Sequence, residues 1–476
     1  MIRFALSVLL ICAALSVGSA APAPTPTFTK DVAPILYKNC AGCHRPGEIA
    51  PMSLLTYEQV RPWAKSIAAR VSTGTMPPWH SVDARGTFSN DRRLSDADRD
   101  TLIRWASEGA PQGDPRAMPP QPTFSEGWEI GTPDVVLSMA TPYDVPATGT
   151  IGYQFFTVPT NFTEDKWIQA IEVRPGARSV VHHILVFAQE PGATRQQPAF
   201  TQIVPSRSGL RGVAGERGNG AAANGEIARR LQALADDPAA REQIARLLQG
   251  VAGARANGAA DGQGAGLLQG LGGGSQTLIA TTAPGTNAMM FAPGQAIRIR
   301  AGATLTFQVH YTANGKAASD QSSVGVIFAR DAPKTEIRIA SFTNPTLLLP
   351  AGSDSTEVPS AIQFTEDSHI TALFPHTHLR GKSWEYRMVY PDGRSEVVLS
   401  VPKYDFNWQT YYEFAKPLAA PKGSRLEATA RYDNSASNKW NPDPTKDVRW
   451  GQQTWDEMQY TGINYFVDVP ASAAAR

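Results

Sequence analysis

The chain carries eight histidines, and six of them fall in four tight contexts. Cys40-Ala41-Gly42-Cys43-His44 sets two thiols and an imidazole within five residues. His182 and His183 are adjacent inside the apolar run Val180 to Phe187. His310 lies in Gln308-Val309-His310-Tyr311, and His376 and His378 flank Thr377. A methionine, Met458, sits among polar neighbours in Thr454-Trp455-Asp456-Glu457-Met458-Gln459. Each has a bland reading taken singly: satisfied surface or core histidines, and a core methionine. Together in one β-rich region they suggest metal chemistry. Three imidazoles suit copper or zinc, whereas two imidazoles with a thioether favour copper, because soft sulfur prefers Cu(I).

The C-x-x-C-H run reads as covalent attachment of one haem c. Cys40 and Cys43 would form thioethers with the haem vinyls, and His44 would ligate the iron. A zinc half-site needs further ligands, and the only other cysteine of the three is Cys12. A redox C-x-x-C would need a βαβ context, and the surroundings read as helical. For the second axial position the candidates are Met52, Met76 and His80. Met76 is favoured, because Gly74-Thr75-Met76-Pro77-Pro78-Trp79 has prolines that hold an extended loop able to lay a thioether over the ring.

These residues need elements to hold them. Thr56 with Gln59 is a capping box before a helix running to about Val71. Ser95 caps another helix, with Leu102, Ile103 and Ala106 on one stripe and Gly109 as its stop. This region resembles the class I cytochrome c domains over about Phe28–Pro111. The stretch 112–133 is rich in Pro and Gly and reads as a linker. From Asp134 short strand-like runs alternate with Pro and Gly turns, as in a sandwich. Adjacent strand residues point to opposite faces, so His182 and His183 can share a metal only at a bulge or strand end. His376 and His378, two apart with β-like flanks, would share a face. The expected fold is therefore multidomain: a small all-α cytochrome c domain at 28–111, then two all-β sandwich domains at 134–340 and 341–470. The stretch 206–276 breaks the β pattern with Ala, Gly and Arg and reads as an insert with two amphipathic helices.

Residues 1–20 look like a secretory leader: Arg3, an apolar run from Phe4 to Val17, then Gly18-Ser19-Ala20. That predicts a periplasmic or secreted protein with no stable membrane insertion after cleavage. The net charge is +1, and no basic block argues for nucleic acid.

The order His-His, Gln-Val-His-Tyr, His-Thr-His, Asp-Glu-Met resembles the type II copper, ascorbate-dependent monooxygenases. These include peptidylglycine α-hydroxylating monooxygenase and dopamine β-monooxygenase. The resemblance covers about Asp134–Val469, the insert apart. It implies two jelly-roll-like β domains, each holding one copper across a solvent cleft. It also implies that His182, His183 and His310 bind an electron-storing copper. His376, His378 and Met458 would bind the copper where O₂ and substrate react. Two departures stand out. The animal enzymes carry disulfides, and this chain has no cysteines to spare. The amidating branch grips a peptide carboxylate with an arginine two residues before its His-x-His, where this chain has Phe374. That branch's Asn and Tyr after the methionine correspond to Tyr460 and Gly462. A peptide C-terminus is thus not the expected substrate.

The expected activity is a copper-dependent monooxygenase hydroxylating a small organic substrate with O₂. Haem c would supply electrons and a periplasmic donor would refill it. The alternatives are a haem c electron-transfer protein whose β domains bind copper or a ligand without oxygenase activity, and a β-sandwich binding module on a cytochrome tether.

Overall fold

The structure, a computed structural model, describes residues 24–468 apart from 47, 49, 51, 125–126, 192–197, 204–275 and 284–287. The leader-like stretch 1–20 and all but the last residue of the expected insert 206–276 lie outside the described residues.

Among the described residues β structure predominates, with 39% strand and 12% helix. The helices are short: Ala33–Asn39 behind a π-helical turn Phe28–Val32, Tyr57–Val60, Ala64–Ser72 and Asp96–Ser107. Thr56 and Gln59 form the reciprocal cap, and the Ser95 hydroxyl accepts from the Asp98 N–H at 3.1 Å. Pro62, within the 3-10 turn Arg61–Trp63, separates the two helices that follow Thr56, because proline lacks the donor that a continuous helix needs there. These elements pack around Phe28, Leu36, Val60, Leu102 and Trp105.

The expected small all-α cytochrome c domain is nevertheless not what the chain forms. Between the helices Ala64–Ser72 and Asp96–Ser107 there is no helix among the described residues. That stretch crosses onto the second β region, where Trp79 and Phe88 bury into its core. Phe88 makes a β-bridge to Phe414, the Val82 N–H donates to the Ser400 carbonyl at 3.1 Å, and the Ser89 N–H donates to the Glu413 carbonyl at 2.8 Å. The helical segment therefore keeps an apolar cluster of its own but gives Trp79 and Phe88 to the core of the second β region.

The β part divides among several sheets. One four-stranded sheet runs Gln154–Pro159, Thr304–Tyr311, Val181–Gln189, Gln276–Thr282. It packs with a six-stranded sheet that includes Lys166–Arg174 and Ser323–Phe328 around Ile171, Ile184, Leu305 and Val326. A second four-stranded sheet runs Arg338–Thr343, Tyr460–Val467, Ser368–His376, Tyr412–Ala420. It packs with a five-stranded sheet containing Gly381–Val389 and Arg425–Tyr432. On that last strand Leu426, Ala428, Ala430 and Tyr432 are buried at every second position, the period of a strand with one face on a core.

The two regions are interleaved. Phe200–Ile203 leaves the first and pairs with Thr356–Phe364 of the second. Arg338–Thr343, which spans the expected boundary at 340, pairs with Tyr460–Val467. Among the described residues no helix is long and apolar enough to cross a membrane.

Candidate metal centre

His183 and His310 sit directly across from one another on the antiparallel strands Val181–Gln189 and Thr304–Tyr311. The register then slips: Tyr311 pairs with Val181, so His182 is the extra residue of a bulge. A bulge leaves two residues opposite one and re-aims a side chain. Adjacent histidines can therefore point the same way. The ligand atoms of His182, His183 and His310 all lie within 4.8 Å of one another. The Nδ1 atoms of His182 and His183 are 3.0 Å apart. His183 Nε2 and His310 Nδ1 are buried without a hydrogen-bond partner among the described residues. Burial lowers the pKa of all three rings, to about 3 for His310, because charged imidazolium loses its hydration. Neighbouring histidines add to the effect at His183 and His310. Neutral imidazoles keep the lone pairs that a metal needs.

His376 is the last residue of the strand Ser368–His376, and the next strand begins at Gly381. His378 therefore lies in the connecting turn, and the two do not share a strand face as the β-like flanks suggested. The reason is Glu457. Its carboxylate accepts the His378 N–H at 2.9 Å and the Arg380 N–H at 2.6 Å, donors that a continuing strand would spend on a neighbour. The two rings still converge, with centroids 5.2 Å apart and both side chains buried. His378 Nδ1 lies 3.3 Å from the Asp456 carbonyl, and His376 Nδ1 lies 3.1 Å from Gln409 Oε1. A carbonyl oxygen only accepts, so each Nδ1 is the donor and each Nε2 carries the lone pair. His378 Nε2 is buried without a hydrogen-bond partner among the described residues. Burial also holds these two rings neutral, His376 at about 4.

His376 pairs with Tyr460. Neither His378 nor Met458 lies on a strand, and the two are linked through Glu457, whose carboxylate accepts the N–H of both. The Met458 backbone is fixed by the Tyr432 hydroxyl, which donates to its carbonyl at 2.8 Å, and by its own N–H, which reaches Glu457 at 3.3 Å. The Glu457 carboxyl is pushed up to about 7 by burial, against the pull of the Arg380, His378 and Met458 N–H groups and the Arg380 charge.

The two histidine groups meet around one phenyl ring. Phe406 stacks on His182 at 5.3 Å and lies 6.0 to 6.4 Å from His183, His310, His376 and His378. Tyr153 contacts His183, His310 and His378 from another side. Gln409, fully buried, bridges the groups. Its Oε1 holds His376, and its Nε2 lies 3.5 Å from His183 Nδ1. The family resemblance implied a solvent cleft between the groups; here the five imidazoles share buried neighbours. Nothing in the sequence marked Phe406, Gln409 or Tyr153, since none is a metal-ligand type at a telling spacing. Glu457 belonged to the Asp-Glu-Met run, although its carboxylate serves the backbone.

Cys40, Cys43 and His44 lie in one tight turn, where the Cys43 and His44 N–H groups donate to the Cys40 carbonyl at 3.1 and 2.9 Å. All three line a cavity of about 540 Å³. His44 Nδ1 lies 3.3 Å from the Met52 carbonyl, so its Nε2 carries the lone pair. Met52 and Met76 both line the cavity, and His80 does not. His182 lines it too. His369, the remaining histidine, is an outlying residue that faces Asp468 at 3.2 Å.

No family model matches the chain, and no curated protein matches it. Among solved structures, the major capsid protein P2 from bacteriophage PM2 aligns at 8% identity over 71% of this chain and 98% of that one, with a TM-score of 0.25. A putative secreted protein from Eubacterium rectale aligns at 8% identity over 69% and 74%, with a TM-score of 0.18. Allantoicase aligns at 9% identity over 61% and 79%, with a TM-score of 0.14. Likeness at this level carries no argument about fold or function.

Proposed function

We propose that the chain is a copper-dependent monooxygenase that hydroxylates a small organic substrate with O₂ and draws its electrons through a covalently bound haem c. The observation that carries this reading is the set of five buried or half-buried imidazoles around Phe406, three of which, His183, His310 and His378, have a buried ring nitrogen without a hydrogen-bond partner among the described residues. An unpaired buried nitrogen costs free energy, and a soft metal removes that cost. Zinc would also accept imidazoles. The thioether of Met458, next in sequence to the Glu457 that holds the His378 N–H, favours copper.

His182, His183 and His310 would hold one copper, and His376, His378 and Met458 the other. Copper held there would supply one-electron storage and O₂ activation, and haem c would supply the electrons one at a time. The chain's residues do the rest. Gln409 and the Asp456 carbonyl fix the tautomers of His376 and His378. Glu457 clamps the turn that carries His378 against the segment that carries Met458. Phe406 and Tyr153 keep water from the imidazoles. The haem reading is supported by the apolar cavity beside Cys40 and Cys43 and by the acceptor that leaves His44 Nε2 for the iron. Met76 is the proposed second axial ligand, with Met52 on the same cavity wall. Export to the periplasm, supported by the pattern of 1–20, would supply the maturation machinery for covalent haem and a periplasmic donor.

The test is periplasmic expression with ample copper, followed by metal and haem analysis and measurement of O₂ uptake with a reductant. One haem and two coppers per chain, with copper-dependent O₂ uptake, are expected. Copper-free protein would overturn the reading. Copper and haem without any O₂ uptake would make the chain an electron-transfer protein.

A further inference from the structure

We propose that electrons pass from the haem cavity into the imidazole cluster at His182, through a junction built by the turn 405–409. This rests on the functional reading above and adds the point of entry, which that reading leaves open.

The cavity that holds Cys40, Cys43 and His44 is also lined by His182, Asn407 and Trp408. One wall of the haem cavity is thus one ligand of the three-histidine group. The turn 405–409 divides its side chains between the two sites. Asn407 and Trp408 face the cavity. Phe406 stacks on His182 at an interplanar angle of 15°, and Gln409 reaches His183 and His376. Asn407 is hydrogen-bonded to His182.

The turn is rigid for local reasons. Asp405 accepts from the Asn407 backbone N–H at 2.9 Å and from its side-chain amide at 2.8 Å. The Trp408 N–H donates to the Asp405 carbonyl at 2.9 Å, and the Gln409 amide donates to the Phe406 carbonyl at 3.3 Å. Asp405 thus acts as an Asx-turn residue that presets the orientation of Asn407. A second contact registers the two sites from the other side. Arg178, close before His182 in sequence, pairs with Glu48 at 3.3 Å, and Glu48 follows the C-x-x-C-H turn and also pairs with Arg45. Electron transfer weakens steeply with each gap between packed atoms. Of the five imidazoles, His182 alone lines the haem cavity, so it is the shortest bridge. With both groups bound the step would balance simply: ferrous haem would give up one electron, one cupric ion would take it, and no proton or bond would change hands.

The test uses the full chain loaded with haem and copper, without O₂. The haem is reduced by a radiolytic pulse while copper stays oxidised, and its reoxidation is followed at the haem absorbance band. The wild type should show a first-order phase independent of protein concentration. Asn407→Leu and Asn407→Ala, each loaded until metal and haem analysis gives two coppers and one haem per chain, should both slow that phase at least ~10-fold. An unchanged rate in both variants would overturn the junction and leave the copper and haem assignments standing. A wild type lacking copper or haem would instead overturn the underlying reading.

Discussion

The three-histidine group and the His376–His378 pair use the same side chain in opposite ways. In the pair, each Nδ1–H has a dedicated carbonyl acceptor, Gln409 Oε1 or the Asp456 backbone. The tautomers are therefore set before any metal arrives. In the group of three, His182 and His183 face each other Nδ1 to Nδ1 at 3.0 Å, and the Thr454 hydroxyl lies 3.3 Å from His310 Nε2. Among the described residues no backbone carbonyl fixes those rings. One site is held by carbonyl acceptors, and the other by contacts among its own rings and with the side chains of Asn407, Gln409 and Thr454. The paired site is thus preorganised for chemistry that demands one geometry, while the other can settle when a metal replaces its internal contact.

That contrast can be broken from either side. His310→Ala should have the largest effect on composition. Removing one of three mutually supporting rings should empty that site, and copper should fall from two per chain to one in metal analysis, with haem unchanged. Loss of both coppers would mean that the groups are a single site. Met458→Ile should act on the other side. It removes sulfur and keeps an apolar side chain of similar bulk, so copper at His182, His183 and His310 and the haem should remain. Copper-dependent O₂ uptake should drop by at least ~100-fold, or roughly 2.7 kcal/mol of barrier. Full activity in that variant would make Met458 a packing residue.

Gln409→Leu touches both groups at once. Outer-sphere partners of metal-bound imidazoles are commonly worth about 10–100-fold in affinity, so copper competition titrations should show both sites weakened, the His376–His378 site more. Weakening confined to the three-histidine site would contradict the tautomer argument. The smallest effect belongs to Thr454→Val, which removes a 3.3 Å contact to His310 alone. Copper affinity there should change less than about tenfold, with the other site unmoved.

What the sequence made legible follows from the range of each interaction. Helix caps are local, so Thr56 with Gln59 and Ser95 could be read directly and both are present. Strand alternation is local too, and Thr304–Tyr311 and Val181–Gln189 lie where alternation and apolar runs put them. The bulge at His182 was foreseeable as a condition, since only an irregularity lets neighbours share a face. The all-α domain was not legible as wrong. Its helices have good local signals, and what defeats the domain is burial of Trp79 and Phe88 in a core built hundreds of residues later. Gln409 and Phe406 were hidden for the same reason, because Gln409 meets His183 across 226 positions. His378 was misplaced onto a strand because Glu457, which diverts its backbone, lies 79 positions away.

The central claim is that five imidazoles and one thioether hold two coppers. X-ray absorption at the copper edge on reduced, fully loaded protein tests it most directly. The account predicts scattering dominated by imidazole nitrogen with a Cu–S component that disappears in Met458→Ile. Reduced wild-type protein with no Cu–S component, or one that survives Met458→Ile, would contradict it.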